Sequence, residues 1–203
     1  TFSPTPPTVL FQSGVTQQAA NPFALDASGN PVALRDDRVK TVVLSSEALK
    51  ENGFGSVTVK NVDGRIIVAE NEKLDLGPRG SLTLSGANID VPGQISAPGG
   101  SVTMNAYNLS PSMVEELKNS PTPSTPTASG TRGVVTLGKD ALINTAGRIV
   151  DDRLSAPDPF ELPIAISGGQ GNINADSILL EEGSLIDVSG GVRGDPVGQR
   201  VYG

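Results

Sequence analysis

Apolar and polar side chains alternate in short bursts along this chain, and each burst closes on Gly or Pro-Gly. In the stretch from Gly80 to Gly100 the pairs Leu82/Leu84, Ile89/Val91 and Ile95/Ala97 form three such bursts. A spacing of two puts both members of a pair on one face of a strand. The joins are only a few residues long, too short for the helical crossover that connects parallel strands in an open sheet. A chain that winds as a coil needs no such crossover, so the stretch reads as one coil built from three short strands.

The same phrase recurs. Gly-polar-apolar-polar-apolar opens at Gly55-Ser56-Val57-Thr58-Val59, Gly80-Ser81-Leu82-Thr83-Leu84 and Gly100-Ser101-Val102-Thr103-Met104. It returns in degraded form as Gly133-Val134-Val135-Thr136-Leu137 and Gly171-Asn172-Ile173-Asn174-Ala175. Ile89-Asp90-Val91 ahead of Gly99-Gly100 is echoed by Ile186-Asp187-Val188 ahead of Gly190-Gly191. Recurrence at a fixed interval marks a repeat architecture. An antiparallel sandwich of many short strands predicts alternation without a recurring phrase. The expected fold is all-β, a parallel β-helix (solenoid) of about five coils with short helical and Pro-rich insertions. Leu82, Leu84, Ile89, Val91 and Ile95 are expected to share one core.

Residues 1–40 read as a Pro-rich extended leader or linker, because Ser3-Pro4-Thr5-Pro6-Pro7-Thr8 favours polyproline conformation. Residues 41–203 read as the coiled segment. Ser45 to Gly53 has a Ser cap and a terminating Gly, the marks of a short helix, placed where it can cover an open end of the stack. A second short helix is expected in Ser110 to Asn119, where Ser112 and Glu115 form a capping-box pattern. It opens an insertion over 110–132 that continues into the Pro/Ser/Thr run Ser120 to Thr127; a further Pro-rich detour covers 154–166. Thr1 is not an initiator, so the chain reads as a piece of a longer or processed product.

Composition narrows the chemistry. The 203 residues hold 24 Gly and 16 Pro, and only 3% are aromatic, so the core must be made of Val, Ile, Leu and Ala. Cys and His are both absent, which removes disulfides, thiolate metal sites and the commonest general base. A net charge of −7 disfavours nucleic acid as a partner. No apolar run approaches the ~20 residues of a membrane span. No metal or cofactor site is expected.

Few residues suggest chemistry. Acid doublets stand at Asp36-Asp37, Asp151-Asp152 and Glu181-Glu182. Hydrolysis of a polysaccharide uses two carboxylates about 5 to 9 Å apart on a common face, whereas neighbours on a strand point to opposite faces. The doublets therefore do not make such a pair, and no catalytic residue is assigned. Arg193-Gly194-Asp195 is the tripeptide that integrins bind, presenting a cation and a carboxylate on a tight turn; Pro196 restrains that turn, and a plain surface turn is the competing reading.

The phrases Gly53-Phe54-Gly55-Ser56-Val57-Thr58-Val59, Leu74-Asp75-Leu76-Gly77-Pro78-Arg79-Gly80-Ser81-Leu82-Thr83-Leu84, Ile95-Ser96-Ala97-Pro98-Gly99-Gly100 and Gly183-Ser184-Leu185-Ile186-Asp187-Val188-Ser189-Gly190-Gly191 resemble the filamentous haemagglutinin-like large exoproteins of Gram-negative bacteria. The resemblance covers roughly Thr41 to Gly191. It implies a right-handed parallel β-helix and a structural and adhesive segment of a secreted or cell-surface protein, exported by two-partner secretion through an outer-membrane transporter. It also implies adhesion or biofilm formation, with a receptor or glycan on a host or neighbouring cell as the partner. Some members carry the Arg-Gly-Asp tripeptide. Two other functions remain open: a self-assembling extracellular filament subunit that stacks head to tail, and a β-helix polysaccharide-active enzyme.

Overall fold

The computed structural model describes residues 7–14, 25–32, 40–121, 130–148, 150–151, 167–194 and 198–203. Its strands are short and run from turn to turn, as the spacing of Gly and Pro-Gly dictates. In chain order they are β1 (Thr8–Phe11), β2 (Thr41–Leu44), β3 (Ser56–Val68), β4 (Lys73–Asp75), β5 (Ser81–Val91), β6 (Gln94–Ser96), β7 (Ser101–Ala106), β8 (Val134–Leu137), β9 (Leu142–Asn144), β10 (Val150–Asp151), β11 (Gln170–Asn174), β12 (Ser177–Leu180), β13 (Leu185–Asp187), β14 (Val192–Gly194) and β15 (Arg200–Tyr202). Two helices interrupt them, α1 (Ser46–Glu51) and α2 (Pro111–Lys118).

The fold is mostly β, and its sheets are parallel apart from one terminal pairing and one isolated bridge. Three ladders carry it. The first runs through the front half of β3, then β5, β7 and β11, with Val59, Leu84, Met104 and Ile173 in one column. The second runs through β2, β1, the back halves of β3 and β5, β8 and β12, with Ile66, Ile89, Val135 and Ile178 in one column. The third stacks β4, β6, β9 and β13, aligning Leu74, Ile95, Ile143 and Ile186. Only Pro92 and Gly93 separate β5 from β6, so the chain passes between ladders through tight corners.

Period-two alternation sends one side chain in two toward a shared aliphatic core. Leu82, Leu84, Ile89, Val91 and Ile95 are all fully buried in it, together with Phe11, Ile66, Leu74, Met104, Leu137 and Ile143. Each such side chain contributes about 1.5 to 3 kcal/mol by leaving water. The corner glycines fix the register. Ser81, Ser101 and Gln170 donate their backbone N–H groups to the carbonyls of Gly55, Gly80 and Gly100, and a Cβ at Gly100 or Gly169 would run into the carbonyl oxygen of the glycine in the next layer.

That contact corrects the expected count of five coils. Among the described residues openings lie at Gly55, Gly80, Gly100 and Gly169, so four sets of strands stack there. Gly133 is no opening: β8 pairs with Asn88–Val91 of β5, and it is the second strand of the set begun at Gly100. The last opening is Gly169 rather than Gly171, because Gln170 pairs with Ser101 and Gly171 with Val102. Likewise Ile186-Asp187 occupies the third ladder opposite Ile143-Asn144, whereas Ile89-Asp90 belongs to the second. The two closing phrases are therefore alike in sequence and different in place.

The amino-terminal boundary also shifts. Val9, Leu10 and Phe11, inside the expected 1–40 linker, form β1 between β2 and β3, and Phe11 is fully buried. Helix α1 stands where expected. Ser45 caps α1 by accepting from the Ala48 N–H at 3.1 Å, and Leu49 packs against the core. Helix α2 starts earlier than the capping box suggested. Ser110 is its cap, accepting from the Met113 N–H at 3.2 Å, and Pro111 takes the first turn where no N–H is needed. None of its residues is buried. At the end of the 110–132 insertion Arg132 Nη2 donates to the Val62 carbonyl at 2.9 Å and to Asp63 Oδ1 at 3.1 Å. Residues 122–129 and the 154–166 detour lie outside the described residues.

Candidate functional site

The Arg193-Gly194-Asp195 tripeptide was expected on a tight turn. Its first two residues instead belong to β14, which pairs in parallel with β10 and antiparallel with β15, setting Arg193 opposite Val201 and Gly194 opposite Arg200. Asp195 lies outside the described residues. Of the acid doublets, Glu181 and Glu182 sit exposed on the turn after β12, where the Glu181 N–H donates to Leu137 O and the Glu182 carbonyl accepts from the Asp140 N–H. Asp151 is in β10; Asp36, Asp37 and Asp152 lie outside the described residues. Among the described residues no three acidic side chains gather as metal ligands, and no helix is long and apolar enough to cross a membrane.

A concavity follows from the third ladder. Asp75, Ser96, Asn144 and Asp187 end its four strands in one column. Three of them bend the chain into the corner by accepting from the backbone two residues on: Asp75 Oδ1 from Gly77, Asn144 Oδ1 from Ala146 and Asp187 Oδ1 from Ser189, at 3.1, 2.9 and 3.0 Å. Asx turns of this kind suit short acidic and amide side chains. At the fourth, Ser96 is followed two residues later by Pro98, which has no N–H to give. The Ser189 hydrogen bonds hold the Asp187 carboxyl below its ordinary range.

A groove of about 450 Å³ crosses the first three of these corners, lined by Lys73, Asp75, Pro78, Ser96, Asn144 and Arg148 among others. Lys73 and Arg148 are exposed and supply cationic groups. Asp75 is held by Lys50 at 3.6 Å as well as by the Gly77 N–H. The groove can hold a polar chain by hydrogen bonds and charge. It does not assemble two free carboxylates for acid–base work, since Asp75 is the one acidic residue among its described lining.

A second polar cluster locks the amino-terminal strands. Glu72 lies in the turn before β4 and is almost fully buried. Its Oε2 accepts from the Ser13 N–H and its Oε1 from the Ser13 hydroxyl, both at 2.7 Å, while Ser13 Oγ accepts from the Glu47 N–H at 3.2 Å. Burial opposes the charge on Glu72, but the Ser13 hydrogen bonds outweigh it and hold the carboxyl below its usual range. The cluster clips the exit of β1 and the first turn of α1 onto the body. Sequence reasoning missed it, because Ser13 and Glu72 are 59 positions apart and neither stands in a motif.

Compared with known proteins, the chain matches no family model, no curated protein and no solved structure.

Proposed function

We propose that this chain is a right-handed parallel β-helix that forms a rod segment of a secreted or cell-surface bacterial exoprotein, with reach and adhesion as its function. The observation that carries the reading is the in-register stacking of three parallel ladders around one aliphatic core. Each added set of strands lengthens such a body by about 4.8 Å while leaving the outward residues free to vary. The resemblance of its phrases to filamentous haemagglutinin-like exoproteins supports the surface location and two-partner secretion. Among the surface features, the groove between Lys73 and Arg148 is the place best suited to a polar glycan on another cell, and Arg193-Gly194-Asp195 is the alternative receptor contact.

Beads coated with the purified chain test the reading. They should adhere to cultured epithelial cells or to bacterial lawns more strongly than beads coated with the Leu84→Asp variant, whose core is broken. Equal retention of the two coatings on every surface tried would sink the adhesive function while leaving the fold untouched.

A further inference from the structure

We propose that the groove over the corners after β4, β6 and β9 takes an acidic polysaccharide, a chain of uronate sugars held by its carboxylates. This rests on the glycan reading of the groove and names the class of glycan. The side chains there offer donors, and their acceptors are already occupied. Asp75 Oδ1 accepts from the Gly77 N–H, and its Oδ2 faces Lys50 Nζ at 3.6 Å. Asn144 Oδ1 accepts from the Ala146 N–H, which leaves its Nδ2 to donate. Ser96 makes no such turn, because Pro98 has no N–H, and its hydroxyl is free to donate as well. Lys73 and Arg148 are exposed, and neither side chain has a hydrogen-bond or ion-pair partner among the described residues. The hydroxyls of a neutral sugar ask for acceptors as well as donors, whereas a carboxylate only accepts.

The spacing asks for a chain of acidic units. Lys73 lies in β4 and Arg148 follows β9, two strand spacings on, about 10 Å along the stack. A polymer with a carboxylate on each unit can meet both cations at once. Pro78, Pro98 and Ala146 line the same groove and give apolar surface for the C–H faces of sugar rings. An acidic peptide fits less well. β6 and β9 are each paired on both sides, so the groove lies over a closed sheet face and has no free edge for a peptide backbone. The net charge of −7 repels a polyanion from the body as a whole, so binding depends on the place where Lys73 and Arg148 stand unpaired.

The test is fluorescence anisotropy of dye-labelled hexagalacturonate titrated with the full chain, beside the same hexamer with every carboxyl methyl-esterified. The acidic hexamer should bind at least about tenfold more tightly than the ester, and its affinity should fall as salt rises. Free galacturonate and a hexaglutamate peptide should compete weakly. Lys73→Gln/Arg148→Gln should weaken binding at least about tenfold with an unchanged melting temperature, while Lys60→Gln/Lys139→Gln, which removes the same charge from exposed sites outside the groove, should leave it within about twofold. Asn144→Asp keeps an oxygen for the Ala146 N–H but replaces the donor with a carboxylate, and should also weaken binding. No binding of either hexamer, equal affinity for the ester, equal competition by hexaglutamate, or equal loss in the two double variants would each overturn the proposal. Tight binding of the ester alone would keep a glycan in the groove and remove the acidic class. The bead assay scores adhesion whatever the ligand, so a failure of the adhesive reading shows there and not here.

Discussion

The set of strands from Gly80 to Gly100 and the set from Gly169 to Gly190 are built on one plan and meet opposite surroundings. In the first, Leu84, Ile89, Val91 and Ile95 are fully buried, because β3 and β4 lie on one side and β7, β8 and β9 on the other. In the second, Ile178, Leu180 and Ile186 stand in the same columns with a neighbouring strand on one side only among the described residues, and between about two-fifths and three-fifths of each is exposed. Alternation in the sequence decides which way a side chain points. Burial comes from the strands above and below, which local sequence does not encode. The amino-terminal side shows what a cover consists of: β1 brings Phe11 into the core, and α1 lays Leu49 against it.

The contrast between a middle set and an end set can be broken in steps. The largest expected effect is at Leu84. Leu84→Asp puts an unpaired carboxylate into the core and should cost more than about 4 kcal/mol, abolishing the cooperative thermal transition followed by circular dichroism. Thr83→Asp, on the outward face of the same strand, should cost no more than about 0.5 to 1 kcal/mol; equal damage would show that the inward and outward faces are misassigned. A finer comparison is Leu84→Ala against Leu180→Ala. The buried site should lose about 2 to 5 kcal/mol in urea unfolding, and the exposed one less than about 1 kcal/mol.

Glu72 offers a test by pH. Its folded-state carboxyl lies below the ordinary value of 4.5, so the stability it supplies is complete above that ordinary value and is lost as pH falls through the lowered one. Glu72→Gln should destabilise the chain by about 1 to 3 kcal/mol at neutral pH and should flatten this part of the acid limb of the melting curve. An acid limb of unchanged slope in the variant would remove Glu72 as its source. The most local effect is expected at Arg132. Arg132→Ala frees the Val62 carbonyl and the half-exposed Asp63 and should cost about 1 kcal/mol, visible as faster amide exchange at residues 61–65 without a change in the rest of the body.

Much of this fold was legible from alternation and glycine punctuation. The core residues of the Gly80 to Gly100 set and the cap of α1 stand where the pattern put them. What was not legible has physical reasons. A period of two cannot separate Gly169 from Gly171 as the last corner, since a slip of two residues keeps every side chain on its own face; only the close approach of Gly169 to the Gly100 carbonyl decides it. Gly133 and Gly100 open similar phrases, yet α2 and its insertion fall between β7 and β8, inside one set rather than between two. Phe11 was hidden by the prolines before it. Of the candidate site, the Asp75, Asn144 and Asp187 corners could have been found from the rule that an Asx side chain turns the chain two residues on. The Lys73 to Arg148 groove could not, because it exists only once the corners after β4, β6 and β9 are stacked.

The central claim is the parallel register that stacks these sets, and engineered cysteines test it directly in a chain that has none of its own. Thr103 pairs with Asn172 across β7 and β11, so their Cα atoms lie within the roughly 4.4 to 6.8 Å that a disulfide spans. The double variant Thr103→Cys/Asn172→Cys should cross-link rapidly and almost completely under mild oxidation. Thr103→Cys/Asn174→Cys, which the register opening at Gly171 would favour, should cross-link slowly if at all. Faster closure of the second pair than the first would contradict the register, and with it the stacked corners on which the account rests.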